Sequence, residues 1–135
     1  MIWDRRFTRH DYEMLTRLFN EVKPQTNIEM CCAQTLKNAI ARCKPVDPEK
    51  IKEDIVTLNC TFRLKNLGNG KQFTYSLVFP DDCNGDKENI SVLSNIGSEV
   101  LGKPVGAIIK ADPRNDQYFI IESVVSRPEP AGVRG

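Results

Sequence analysis

The chain has 135 residues, 40% of them hydrophobic, with 19 Lys and Arg against 18 Asp and Glu. That is enough for one ordinary core, or one core with a small appendage. Split at Asp54, basic against acidic residues count 10 to 8 before it and 9 to 10 from it onward, so neither half carries the positive field of a phosphate-driven nucleic-acid binder, and direct nucleic-acid binding is expected to be weak or absent.

Arg5, Arg6 and Arg9 read as a solvated start. Thr8-Arg9-His10-Asp11 fits the capping pattern Ser/Thr-x-x-Asp/Glu, and Tyr12, Leu15, Leu18, Phe19 and Val22 follow at helical spacing, which predicts a helix from about Thr8 to Val22. Pro24 ends it. Asn27 is the expected cap of a second helix carrying Ile28, Cys32, Leu36, Ala39, Ile40 and Cys43 on one stripe. Two helices joined by about five residues fold back as an antiparallel hairpin, each arm about 22 to 26 Å long. Its tip is Lys23, Gln25 and Asn27.

Lys44-Pro45-Val46-Asp47-Pro48 breaks the second helix and opens a linker. From Ile55 the period changes to two: Val56, Leu58, Cys60, Phe62 and Leu64 on one side, Thr57, Asn59, Thr61, Arg63 and Lys65 on the other, which predicts one long half-buried strand. Gly68-Asn69-Gly70 is turn chemistry, and Phe73, Tyr75, Leu77 and Phe79 alternate in the next strand. The run 80–89, PDDCNGDKEN, reads as a solvated turn, because its acids lack the spacing of a calcium loop. Ile90, Val92 and Leu93 predict a short strand. Ser94 is placed to cap a helix carrying Ile96, Val100 and Leu101, with Gly102 closing it in the left-handed conformation. Ala107 to Ala111 and Tyr118 to Val125 complete five strands around a turn at 112–116. The expected fold class is therefore α+β with an antiparallel sheet. The expected division is a helical hairpin at 1–44, a linker at 45–53, a sheet domain at 54–126 and a frayed tail at 127–135.

No metal, cofactor or enzyme activity is expected. The five cysteines, Cys31, Cys32, Cys43, Cys60 and Cys83, form no C-x-x-C pair, and Cys32, Cys43 and Cys60 read as small core hydrophobes. His10, the only histidine, leaves serine and cysteine without a base in the sheet domain. There is no phosphate-loop motif. No stretch approaches the roughly 18 apolar residues of a membrane span, and a cytoplasmic protein without membrane contact is expected.

The stretch Ile90 to Gly106, ISVLSNIGSEVLGKPVG, resembles the S-P-I-G-x-x-L-L-G-x-x-x-G segment in the C-terminal domain of the Gre transcript cleavage factors. It is still more similar to that of the Gre-like regulator of nucleoside diphosphate kinase family. Asn95 stands where proline is usual. The run DIVTLNCTFRLKNLGNGKQFTYSLVFP from Asp54 resembles the family's entry into that domain, with Cys60 in place of serine. The resemblance implies an FKBP-like sheet domain. It also implies docking at the rim of the secondary channel of bacterial RNA polymerase, where Gre factors insert a long coiled coil whose tip acids help hold a catalytic Mg²⁺. The tip here has no acid, so docking without stimulation of transcript cleavage is the expectation. The turn Ser94, Asn95, Ile96 and Gly97 is the expected partner-binding site, offering backbone N–H groups at a helix start. The alternatives are a general protein-interaction module on the same fold or, from the FKBP-like resemblance, a prolyl isomerase using Phe62, Phe73, Tyr75, Phe79, Tyr118 and Phe119. Four of those aromatics alternate along strands as core residues do.

Overall fold

Two helices form where the periodicity predicts them, α1 at Arg9–Glu21 and α2 at Asn27–Ala41. The computed structural model describes residues 5–21, 23, 25–42, 45, 54–83, 85, 88–111 and 116–126. The expected linker beyond Pro45, the tail 127–135, Cys43 and most of the turn at 112–116 lie outside the described residues. Thr8 caps α1, its Oγ1 accepting from the Asp11 N–H at 2.9 Å. The cap of α2 is Thr26 rather than Asn27, which is the first helical residue. Thr26 Oγ1 accepts from Glu29 N at 3.1 Å, and Glu29 Oε1 reaches back to accept from Gln25 N at 2.7 Å. This reciprocal arrangement satisfies donors that a helix start leaves open.

The strands are β1 at Thr61–Asn66, β2 at Gln72–Val78, β3 at Asn89–Ser91, β4 at Ile108–Lys110 and β5 at Tyr118–Ser126, with a third helix, α3, at Asn95–Val100. They form one sheet in the order β3-β2-β1-β5-β4. The sheet is mixed, which corrects the expected antiparallel one: β3 runs parallel to β2, Ser76 pairing with Asn89 and Val78 with Ser91. From the end of β2 the chain has only to return beside Ser76, two residues back. The short polar connection, including a 3₁₀ turn at Pro80–Asp82, therefore suffices without a full crossover helix. In consequence β3 ends at Ser91, and Val92 and Leu93 are buried in the turn that follows.

The long first strand is also shortened. Asn59 adopts φ +65° and Cys60 N donates to Thr57 O at 3.2 Å, so the chain turns before β1 begins. Thr57, expected on the solvent side, is buried there with Val56, Leu58 and Cys60. Upstream of that turn the backbone pairs elsewhere, Val56 N donating to Lys103 O and Gly102 N to Val56 O. The β1–β2 turn closes on Asn66, whose Oδ1 accepts from Gly68 N and Asn69 N at 2.7 and 3.2 Å.

Helices and sheet share one contiguous core. Leu15, Leu18, Cys32 and Leu36 from the helices join Phe62, Leu64, Leu77, Val92, Leu101, Ile109 and Ile121. A buried carboxylate also ties α1 to the sheet domain. Asp11, 3% exposed, accepts from Leu58 N at 3.0 Å through Oδ2, while Oδ1 lies 3.4 Å from His10 Nδ1. Burial pushes the Asp11 carboxyl above its ordinary range, with the Leu58 N–H, His10 and Thr8 pulling the other way. An acid whose folded pKa exceeds its unfolded one holds its proton more tightly in the fold. Its contribution to stability is thus fully present below about pH 4 and is lost as pH rises through the folded pKa. Asp11→Asn keeps an acceptor for Leu58 N–H and removes the charge. It is expected to be at least as stable as the native chain at pH 7, with the difference vanishing toward pH 4. Urea midpoints at the two pH values check this. A variant weaker by more than about 1 kcal/mol at pH 7 contradicts it.

Candidate docking site

The turn from Ser91 to Gly102 is built by a few backbone demands. Ser94 leaves the strand in an extended conformation (φ −102°, ψ 164°) and caps α3, its Oγ accepting from Gly97 N at 3.0 Å. The same hydroxyl donates to Ser91 O at 2.6 Å, and Ser91 Oγ accepts from Leu93 N at 2.9 Å. Gly97 lies directly on β3: a Cβ there would stand 1.9 Å from Ser91 O. At the other end Gly102 takes the left-handed conformation expected of it, φ +84°.

Of the four residues expected to bind a partner, Ser94 caps, Gly97 permits the close approach, and Ile96 is half-buried against the core. Asn95 is half-buried too, and its Oδ1 accepts from Cys32 Sγ of α2 at 3.9 Å. The Gly97 N–H, one of the groups expected to face a partner, is already taken by Ser94. Burial raises the Cys32 thiol pKa, partly offset by its contact with Ser98.

The C-terminal end of α3 carries a charged cluster that pattern reasoning missed. Arg5 Nη1 donates to Ser98 O at 2.7 Å and to Leu101 O at 3.4 Å, and Nη2 lies 3.6 Å from Glu99 Oε2. Lys103 Nζ stands 3.0 Å from the same oxygen. Burial and the Arg5 charge lower the Lys103 pKa, against Glu99. The Arg5 side chain is only 12% exposed, which corrects the reading of that arginine as part of a solvated start. A contact spanning 93 residues leaves no local signal in the sequence.

The three tip residues, Lys23, Gln25 and Asn27, are exposed. Glu29 is committed to Gln25 N, and Glu21 ends α1. Among the described residues no three His, Cys, Asp or Glu side chains cluster as a metal site. The aromatic residues divide. Phe73 stacks on Tyr75 with centroids 6.1 Å apart and meets Phe119 edge-on at 6.0 Å. Phe62 is fully buried, whereas Tyr118, 44% exposed, projects from the opposite side of β5 from Phe119, beneath Lys110 Nζ at 5.8 Å. Among the described residues no helix is long and apolar enough to cross a membrane.

Residues 51–124 match the family model described as transcription elongation factor GreA/GreB, C-terminal. The chain is 32% identical over 96 residues to the transcription elongation factor GreA of Syntrophus aciditrophicus, covering 70% of this chain and 60% of that protein. It is 30% identical over 74 residues to the regulator of nucleoside diphosphate kinase of Escherichia coli, covering 55% and 54%. Thus it spans little more than half the length of the curated relatives it matches. A solved prokaryotic transcription elongation factor GreA/GreB from Nitrosomonas europaea superposes with a TM-score of 0.74 at 28% identity, over 90% of this chain and 97% of that one. This chain belongs to the GreA/GreB C-terminal family of transcription elongation factors.

Proposed function

We propose that this protein is a cytoplasmic regulator that docks on bacterial RNA polymerase at the rim of the secondary channel and does not stimulate transcript cleavage. In this reading residues 54–126 are an FKBP-like docking domain. The linker 45–53 joins it to a short antiparallel coiled coil at 1–44, which stands at the channel entrance.

The docking half rests on the Ser94–Gly106 turn, whose cap and glycines build the family's motif in a domain matching the family from 51 to 124. The absence of cleavage rests on the arm. Helices α1 and α2 have 13 and 15 residues, about 20 and 22 Å at 1.5 Å per residue, shorter than the sequence suggested. Mg²⁺ needs hard oxygen ligands from carboxylates. The tip offers an ammonium and two amides, and its nearest acid on α2, Glu29, is held by the backbone.

Co-purification with core RNA polymerase, with a Gre factor as positive control, tests the docking. A clean failure would favour a general interaction module on the same fold. Asn95 and Ile96 are proposed to touch the polymerase, with Ser94 and Gly97 holding them in place. Asn95→Glu is expected to weaken binding about tenfold, as loss of a central contact does, and to leave the melting temperature close to the native value. Stability falling in step with affinity would assign Asn95 to the fold alone.

A further inference from the structure

Helix α3 has six residues and cannot hold itself together; its last carbonyls need partners from outside. Arg5 supplies them. A charge-assisted bond of 2.7 Å to Ser98 O, a longer one to Leu101 O and the Glu99 carboxylate beside Nη2 fill a guanidinium fork that is largely withdrawn from water. Only three residues separate Arg5 from the first residue of α1, four steps of about 3.4 Å or roughly 14 Å even when fully extended. All three are engaged: Arg6 N donates to Gly102 O at 2.8 Å, the buried Phe7 ring lies against Gly102, and Thr8 caps α1. The strap has no slack.

Helix α2 meets α3 at its other end. Cys32, buried, reaches Asn95 Oδ1, a contact that the proline usual at this position would not offer. The two helices of the arm are therefore tied to opposite ends of the helix that begins at the docking turn, and Asp11 adds a third tie at Leu58. Of the polar ties, Arg5 is the strongest by distance and charge. The thiol contact at 3.9 Å is weak.

We propose that Arg5 is a positioning residue. The shared core of Leu15, Leu18, Cys32 and Leu36 already joins the helical pair to the sheet; by fastening the strap before α1 to the C-terminal end of α3, Arg5 fixes how the pair sits on that core, so that it points in a single preset direction. The bearing of this on polymerase rests on the docking reading above; the rigidity itself does not.

Residual dipolar couplings of backbone amides in the free 135-residue protein test it. In the native chain, couplings from α1, α2 and β1, β2 and β5 are expected to fit one common alignment tensor. In Arg5→Ala the helices are expected to lose that common tensor and show a lower degree of order than the sheet. Should Arg5→Ala not fold, Arg5→Gln, which removes the charge and the fork, is judged by the same criterion. A merely stabilising cap would lower the melting temperature while one tensor still fitted all residues, and that result overturns the proposal. So does a native chain needing two tensors. Failure to bind polymerase would remove the docking reading without touching this one, since the couplings need no partner.

Discussion

Gly97→Ala is expected to destabilise the protein by about 3 kcal/mol or more, the upper range for overpacking, and to lower its melting temperature by roughly 10 °C. The added methyl would stand 1.9 Å from Ser91 O and 2.9 Å from both Ser91 C and Ser94 Oγ. Neither backbone atom can give way cheaply. Ser91 ends β3, and its carbonyl already accepts from Ser94 N at 3.0 Å and from Ser94 Oγ at 2.6 Å, so moving it breaks the cap that starts α3. Gly106 is the control. Its φ is +95° but nothing lies within 4 Å of a Cβ there, so Gly106→Ala bears only conformational strain of about 1–2 kcal/mol. Thermal melts followed by circular dichroism compare the two. A Gly97→Ala protein melting at or above the Gly106→Ala one would mean that the close approach of α3 to β3 is not as tight as described.

Phe7→Ala is expected to cost about 3–5 kcal/mol, as for other fully buried aromatic side chains. Phe7 is 1% exposed and belongs to the same core cluster as Leu15, Leu36, Val56 and Leu101. Its removal opens a cavity where helices, strap and sheet domain meet, and the surrounding backbone is hydrogen-bonded and cannot collapse into it. Urea denaturation with an unchanged slope and a lower midpoint checks the figure. A loss under about 1 kcal/mol would mean that the strap contributes little to the fold.

In the sequence Gly97 stands out only as part of the expected partner-binding turn and Phe7 not at all, and the reason is instructive. Periodicity located α1, α2, α3, β1 and β2, because each hides one face and hiding a face leaves a period of 3.6 or 2. By contrast β3, β4 and β5 were legible only as short apolar runs, and β3, half-buried at all three positions, ends two residues short of its run. Gly102 could be read as left-handed because it follows an apolar helical stripe. The resemblance of 94–106 to the Gre segment identified the family. What could not be read was tertiary. Nothing local says that Arg5 reaches Ser98, that Asp11 holds Leu58 N–H across 47 residues as well as joining the Thr8 cap, or that a methyl on Gly97 would strike Ser91. The direction of β3 was missed because a short polar run looks the same whether it makes a hairpin or steps back two residues. The left turn at Asn59 was missed because Val56, Leu58 and Cys60 are buried either way, and burial was the only signal available.

In the proposed reading the protein is a Gre-type docking domain carrying an arm too short, and a tip too poor in acids, to deliver Mg²⁺. The direct test is transcript cleavage in backtracked complexes of bacterial RNA polymerase, with and without a Gre factor, as the protein is titrated in. The protein alone is expected to leave cleavage at the intrinsic rate, and in the presence of the Gre factor to reduce stimulated cleavage in proportion to its concentration. The double variant Gln25→Asp, Asn27→Asp is expected to behave the same way, since new acids do not lengthen arms of about 20 and 22 Å. Cleavage stimulated by the native chain or by that variant, or stimulated cleavage by the Gre factor that no excess of this protein reduces, would contradict the account.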